Sequence, residues 1–169
     1  VVSGLPLPVG GYALAAQRHM HTYGSTRETL AEIAVSTRAW ASMNENAAFQ
    51  TPLTIEEVLS SKPIASPLHR SDCCLVTDGG GAIVITTNEK AKDLSTRPIY
   101  IRGFGESNSH SSINYMPNME HLEIAKESSK RAFNMSNLNT NDIDLTMIYD
   151  SFTITVLLSL EAIGFCKLG

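Results

Sequence analysis

The sequence predicts an α/β fold, on three observations. Residues 82–87 form a β-branched run of the kind that fills buried strands, residues 97–104 alternate like a strand, and residues 144–149 form a third β-prone run. The stretches around them carry helical periodicity bounded by recognisable caps. The 169 residues, 43% of them apolar, suffice for one domain with a real core.

The third run ends abruptly in a polar cluster, Tyr149-Asp150-Ser151-Phe152-Thr153. Residues 154–165 follow as a helix that is apolar on nearly every face (Ile154, Val156, Leu157, Leu158, Leu160, Ala162, Ile163), and such a helix must be buried. A strand end, a tight polar turn and a buried helix would hold Tyr149 and Asp150 on rigid supports, the arrangement chemistry needs. An ordinary strand-to-helix connection with Ser151 as the helix N-cap accounts for the same residues.

Upstream, residues 4–11 are rich in Gly and Pro and read as a loop entering a helix from about Tyr12 to Tyr23, closed by Gly24 at a C′ position. His19 and His21 invite a metal reading, but two residues apart they lie about 200° from one another on a helix. They cannot easily share an ion, so one is expected on the surface and one partly packed, with no metal site. Ser25-Thr26-Arg27-Glu28 has the form of a capping box and opens a second helix, whose apolar period runs through Leu30, Ile33, Ala34, Thr37 and Ala41 to about Met43. Thr54-Ile55-Glu56-Glu57 repeats the pattern for a short helix to about Ser60, and Pro63 and Pro67 bracket an irregular connection.

Asp72-Cys73-Cys74 and Thr77-Asp78-Gly79-Gly80-Gly81 lead into the run at 82–87. Phosphate loops follow a strand and open a helix, the reverse of this order, and no Gly-Lys-Ser/Thr occurs, so the glycines read as positions of close backbone packing. The adjacent cysteines read as small buried residues rather than nucleophiles. Residues 88–96 are a surface turn or short helix, and residues 105–117 are a long polar loop containing His110. Asn118 can cap a helix to about Phe133 with Leu122, Ala125, Ser129, Ala132 and Phe133 inward, and residues 137–142 are a polar turn.

Composition narrows the function classes. Net charge is -4 and the pI is near 5.7; Lys and Arg form no stripe, which argues against nucleic acid as partner. Residues 154–165 are too short and too often broken by Thr155, Ser159 and Glu161 to span a bilayer, and no cationic amphipathic helix argues for a membrane surface. Three cysteines, two of them adjacent, make no disulfide framework, so a reducing, cytoplasmic location is expected. The first residues lack the pattern of a signal peptide, and both ends read as cuts through a longer chain.

Three stretches together resemble the thiolase superfamily, and specifically its sterol-carrier and lipid-transfer branch. They are Ala16-Gln17-Arg18-His19-Met20 with Tyr23-Gly24 and Thr26-Arg27-Glu28; Glu56-Glu57-Val58-Leu59-Ser60-Ser61 through Cys73-Cys74 to Thr77-Asp78-Gly79; and Asn141-Asp142-Ile143-Asp144 through Tyr149-Asp150-Ser151-Phe152 to Leu160-Glu161-Ala162-Ile163-Gly164-Phe165-Cys166. The resemblance implies a layered α/β fold of mixed β-sheets covered by helices, present here in part. Residues 1–96 would end the N-terminal half, including its loop region and last strand, and residues 97–169 would begin the C-terminal half. The family's reactive Cys lies upstream of this stretch, and its Gly-His-Pro and second Cys motifs lie downstream. The chain alone is therefore expected to be inactive.

One active-site block of the family falls inside. Where thiolases carry Asn-Glu-Ala-Phe and the sterol-carrier branch His-Asp-Cys-Phe, this chain reads Tyr149-Asp150-Ser151-Phe152. The resemblance implies that Tyr149 stands where a donor helps to stabilise a thioester enolate, that Asp150 orients the turn, that Phe152 lines the substrate pocket and that Cys74 lies beside the pantetheine arm. A Tyr departs from ordinary thiolases and is closer to the thiolase-like aldolases that cleave steroid side chains. The implied function is an acyl-CoA acyltransferase making or breaking a C–C bond next to the thioester. A retro-aldol lyase using Tyr149 is the second possibility and a non-catalytic thiolase-like subunit the third. The resemblance implies a CoA thioester as substrate with no covalently bound cofactor, a homodimer, and a zinc-ribbon/OB-fold partner protein in the aldolase case. Arg18, Arg27, Arg70 and Arg102 are the cations considered for the CoA phosphates.

Overall fold

The computed structural model describes residues 4–5, 8–94, 97–112 and 115–169. Its centre is α6 (Thr153–Ile163), with α1 (Val9–Tyr23), α2 (Arg27–Ser42) and α5 (Glu123–Ser136) packed around it. Ile154, Leu157 and Leu158 of α6 interlock with Ala13 and Ala16 of α1, Leu30 of α2, Leu68 and Phe152. The small alanines let α1 approach closely, and each large aliphatic side chain buried here contributes roughly 1.5–3 kcal/mol of transfer free energy. A satellite cluster of Ala31, Ala34 and Val58 joins α2 to α3 (Ile55–Ser60).

The helix ends follow local chemistry, with two shifts from the sequence expectation. Gly24 closes α1 in the left-handed conformation, φ 77°, and its N–H donates to the Met20 carbonyl at 2.9 Å. That helix begins at Val9, a turn earlier than expected, because Gly10 and Gly11 are buried in its first turn. The α2 box forms one residue later than predicted: Thr26 is the N-cap and its N–H donates to Thr29 Oγ1 at 3.3 Å. Ser25 is instead drawn to His19. The α3 box forms as read, with Glu57 N–H donating to Thr54 Oγ1 at 3.2 Å and Thr54 N–H to Glu57 Oε2 at 2.8 Å. Leu122 rather than Asn118 precedes α5, and Phe152 rather than Ser151 precedes α6, where Ser151 Oγ pairs with Thr155 Oγ1 at 2.9 Å.

Over residues 63–69 the chain forms a small antiparallel hairpin, β1 (Pro63–Ala65) and β2 (Leu68–His69), across a turn containing a cis Ser66–Pro67 bond. It is the one sheet among the described residues. The runs at 82–87, 97–104 and 144–149 are not paired into ladders. Ile83, Val84, Ile85, Ile99, Ile101 and Met147 are all exposed on them. A strand is held by its neighbours, and among the described residues none of these runs has a ladder partner. Gly79, Gly80 and Gly81 accordingly stand in open space rather than in the close packing predicted for them. Residues 88–94 form α4 (Asn88–Leu94), with no buried residue, as the charge pattern predicts.

Glycines matter at 103 and 105. A Cβ at Gly103 would overlap the Ala132 carbonyl oxygen, and one at Gly105 would overlap that of Ser128. Their lack of a side chain lets this extended segment lie directly on the backbone of α5, where Arg131 Nη1 also donates to the Glu106 carbonyl at 2.8 Å.

Candidate functional site

The site is assembled by Asp72, at the end of a 3-10 turn (Arg70–Asp72) that follows β2. This carboxylate is 4% exposed, and its position is fixed from two sides. Oδ2 accepts from the His69 N–H at 2.8 Å and Oδ1 accepts from Thr153 Oγ1 at 2.9 Å. The second bond ties the turn to the first residue of α6, 81 positions away. Next to it Cys73 pairs with Phe152 in an isolated antiparallel bridge, and the Cys74 N–H donates to the Ser151 carbonyl at 3.1 Å.

These bonds lay residues 71–77 alongside residues 149–153 and open a cleft of about 480 Å³, within the usual range for small-molecule sites. One part of its wall comes from Asp72, Cys74, Thr77, Tyr149, Asp150 and Thr153; another comes from α2 and the loop at 47–53, including Thr37, Arg38 and Phe49. Three of the four residues singled out in the sequence, Cys74, Tyr149 and Asp150, therefore share one cleft. The fourth does not. Phe152 is 7% exposed, with its ring 4.4 Å from that of Tyr12, so it supports the block from the core side.

The two cysteines differ. Cys73 is half-buried, its Sγ 3.3 Å from the His69 carbonyl, and burial followed by the negative charge of Asp72 raises its pKa above the ordinary thiol value. Cys74 is exposed into the cleft, contrary to the expectation that both would be buried. All three cysteines are free.

At the other end of α6, His19 is completely buried. Its Nε2–H donates to the Glu161 carboxylate, 3.0 Å from both oxygens, and Nδ1 lies 2.7 Å from Ser25 Oγ. Glu161 also accepts from the Gly169 N–H at 2.9 Å. His21 is exposed as expected, whereas His19 is fully buried rather than partly packed. No cluster of three or more His, Cys, Asp or Glu able to hold a metal occurs among the described residues. No helix among them is long and apolar enough to cross a membrane.

Sequence reasoning missed Arg38, Asp72 and Thr153. The His69-x-x-Asp72 spacing is a readable cap signal, whereas the Asp72–Thr153 bond joins distant parts of the chain and leaves no local trace. Arg38 was hidden in an ordinary helical period. The four arginines weighed in its place lie elsewhere: Arg18, Arg70 and Arg102 are exposed and none lines the cleft, while Arg27 Nη1 donates to the Leu59 carbonyl at 3.2 Å and braces α2 against α3.

Residues 105–169 match the family described as "Thiolase C-terminal domain-like". A solved structure of an "Ltp2-ChsH2(DUF35) aldolase" superimposes with a TM-score of 0.90 over 98% of this chain and 44% of that one, at 36% identity. The chain belongs to the thiolase superfamily. Its fold is thiolase-like, as the sequence predicted. Among curated members of the superfamily, it is 36% identical over 177 residues to a steroid side-chain-cleaving aldolase of Thermomonospora curvata, covering 98% of this chain and 44% of the relative. It is 36% identical over 160 residues to an acetyl-CoA acetyltransferase of Methanocaldococcus jannaschii, covering 94% and 41%. The chain thus spans less than half the length of these thiolase-superfamily relatives.

Proposed function

We propose that the protein containing this chain is an acyl-CoA enzyme that makes or breaks the C–C bond adjacent to a CoA thioester. The observation that carries the reading is the convergence of Tyr149, Asp150 and Cys74 on one cleft, at the block where thiolases place an enolate-stabilising donor. The extended runs at 82–87, 97–104 and 144–149 fit this reading, since their sheet neighbours would come from residues outside this chain.

Tyr149 favours aldol cleavage over thiolysis, because a phenol supplies a proton donor and acceptor where the Asn of thiolases cannot. In the cleavage direction Tyr149 takes the β-hydroxyl proton, the Cα–Cβ bond breaks towards the thioester carbonyl, and a carbonyl product departs. Returning that proton to the α-carbon of the enolate restores Tyr149 for the next turnover. Backbone donors hold the enolate oxygen, and Asp150 orients the turn. The acyltransferase reading requires instead a nucleophilic Cys outside this chain. A homodimer and a zinc-ribbon/OB-fold partner protein, both implied by the sequence resemblance, belong to the same proposal, and the compound name of the matched aldolase supports a second component.

The test uses the full-length protein with a β-hydroxyacyl-CoA. Tyr149→Phe should lower kcat by about 10²-fold or more with little change in KM; undiminished cleavage removes Tyr149 from the mechanism. An acyl-enzyme adduct on a cysteine, seen by intact mass after incubation with acyl-CoA, would establish the thiolase reaction instead.

A further inference from the structure

We propose that Arg38 is the anchor for the phosphate groups of the CoA arm, held in place by Phe49 and the Thr51 carbonyl. The inference rests on the acyl-CoA reading of the cleft and adds the residue that would read the charged end of the substrate.

Among the described residues lining the cleft, Arg38 is the one Lys or Arg; the other ionised side chains there are the carboxylates of Asp72 and Asp150. Those carboxylates belong to the part of the wall carrying Cys74 and Tyr149, whereas Arg38 stands on α2. The charges are therefore divided between two parts of the wall, the carboxylates on the segments that carry the reacting groups and the cation on α2. A CoA thioester has the same asymmetry, a neutral thioester and pantetheine arm followed by phosphates. At about 480 Å³ the cleft suits the arm and thioester rather than the whole molecule, which leaves the phosphates near its edge.

The guanidinium is also preorganised. Nη1 donates to the Thr51 carbonyl at 3.0 Å, and the guanidinium carbon lies 5.3 Å from the centre of the Phe49 ring. One hydrogen bond and one aromatic face fix the plane of the group. Its remaining N–H donors have no protein partner among the described residues. A planar fork held this way matches a phosphate oxygen pair, and the ordering cost has been met before the ligand arrives.

The experiment measures binding of CoA and of pantetheine to the full-length protein by calorimetry, and kcat/KM for an acyl-CoA and the matching acyl-pantetheine. Arg38→Gln should weaken CoA binding about tenfold or more, the scale of a lost charge-assisted contact. It should reduce the preference for acyl-CoA over acyl-pantetheine by a similar factor, with Arg38→Lys intermediate. Binding to wild type should weaken with salt more steeply than binding to Arg38→Gln. Arg18→Gln, exposed on α1, should leave CoA affinity unchanged, and melting curves establish that each variant is folded. Equal CoA affinity of wild type and Arg38→Gln, or an equal loss for CoA and pantetheine, overturns the phosphate role while leaving the acyl-CoA reading intact. Failure of the wild type to bind CoA overturns both. Selective loss of CoA binding in an enzyme that cleaves no β-hydroxyacyl-CoA would support the Arg38 role and remove only the aldolase assignment.

Discussion

Tyr149 and Cys74 are single side chains whose value depends on neighbours far away in sequence, and each makes a residue-level prediction. Cys74 opens into the cleft, whereas burial and Asp72 raise the pKa of Cys73 and burial and Glu161 raise that of Cys166. A raised thiol pKa keeps the sulfur protonated through neutral pH, and the thiolate is the species that reacts. Iodoacetamide at pH 7 should therefore modify Cys74 first, and labelling of Cys73 and Cys166 should catch up only as pH rises past the ordinary thiol value, as read by peptide mass spectrometry at pH 7 and pH 9.5. CoA bound in the cleft should slow the modification of Cys74. Gly103 provides a second prediction at this scale. Because a methyl group there would collide with a main-chain carbonyl of α5, which cannot swing aside, Gly103→Ala should cost about 1–3 kcal/mol in a denaturant melt. An unchanged midpoint would show that residues 101–105 do not rest on α5 in solution.

Among the elements, α6 does most of the organising, and it was the most legible in the sequence. Its apolar residues leave no face for water, so burial followed from composition alone. Its polar attachments did not. The Asp72–Thr153 bond at its start and the His19–Glu161 pair at its end join residues that no local pattern links. The capping boxes illustrate the same limit: Thr54-x-x-Glu57 formed as read because nothing competes for Thr54, whereas Ser25 lost its place in the second box to the buried imidazole of His19. Removing one partner of a buried pair leaves the other unsatisfied, so His19→Ala should destabilise by roughly 3–5 kcal/mol, and the apolar double replacement His19→Leu with Glu161→Met by much less. A double-mutant cycle on chemical denaturation reads the difference. If both lose equally, the pair is not what holds α1 and α2 to the end of α6.

For the whole molecule, the sequence identified the α/β class and pointed to residues 149–152 as a candidate site, but not which strands would find partners. Hydrophobic alternation at 97–104 and the β-branched run at 82–87 report that a segment suits a sheet; they say nothing about where its neighbours come from. Here Ile83, Val84, Ile85, Ile99 and Ile101 lie exposed on backbone with open hydrogen-bonding edges, while the helices around α6 form a true core. Such segments are templates for pairing with another chain. The 169-residue chain produced alone should therefore keep its helical signal, bind a hydrophobic dye such as ANS, and associate as concentration rises in sedimentation runs. Charged substitutions at Val84 and Ile99 should suppress the association without lowering helix content, since neither side chain touches the core. A full-length protein in which these runs sit inside paired sheets should bind little dye, and the same two substitutions should then destabilise it. That reversal of sign between the short and the full chain separates strands awaiting neighbours from loops that merely happen to be apolar.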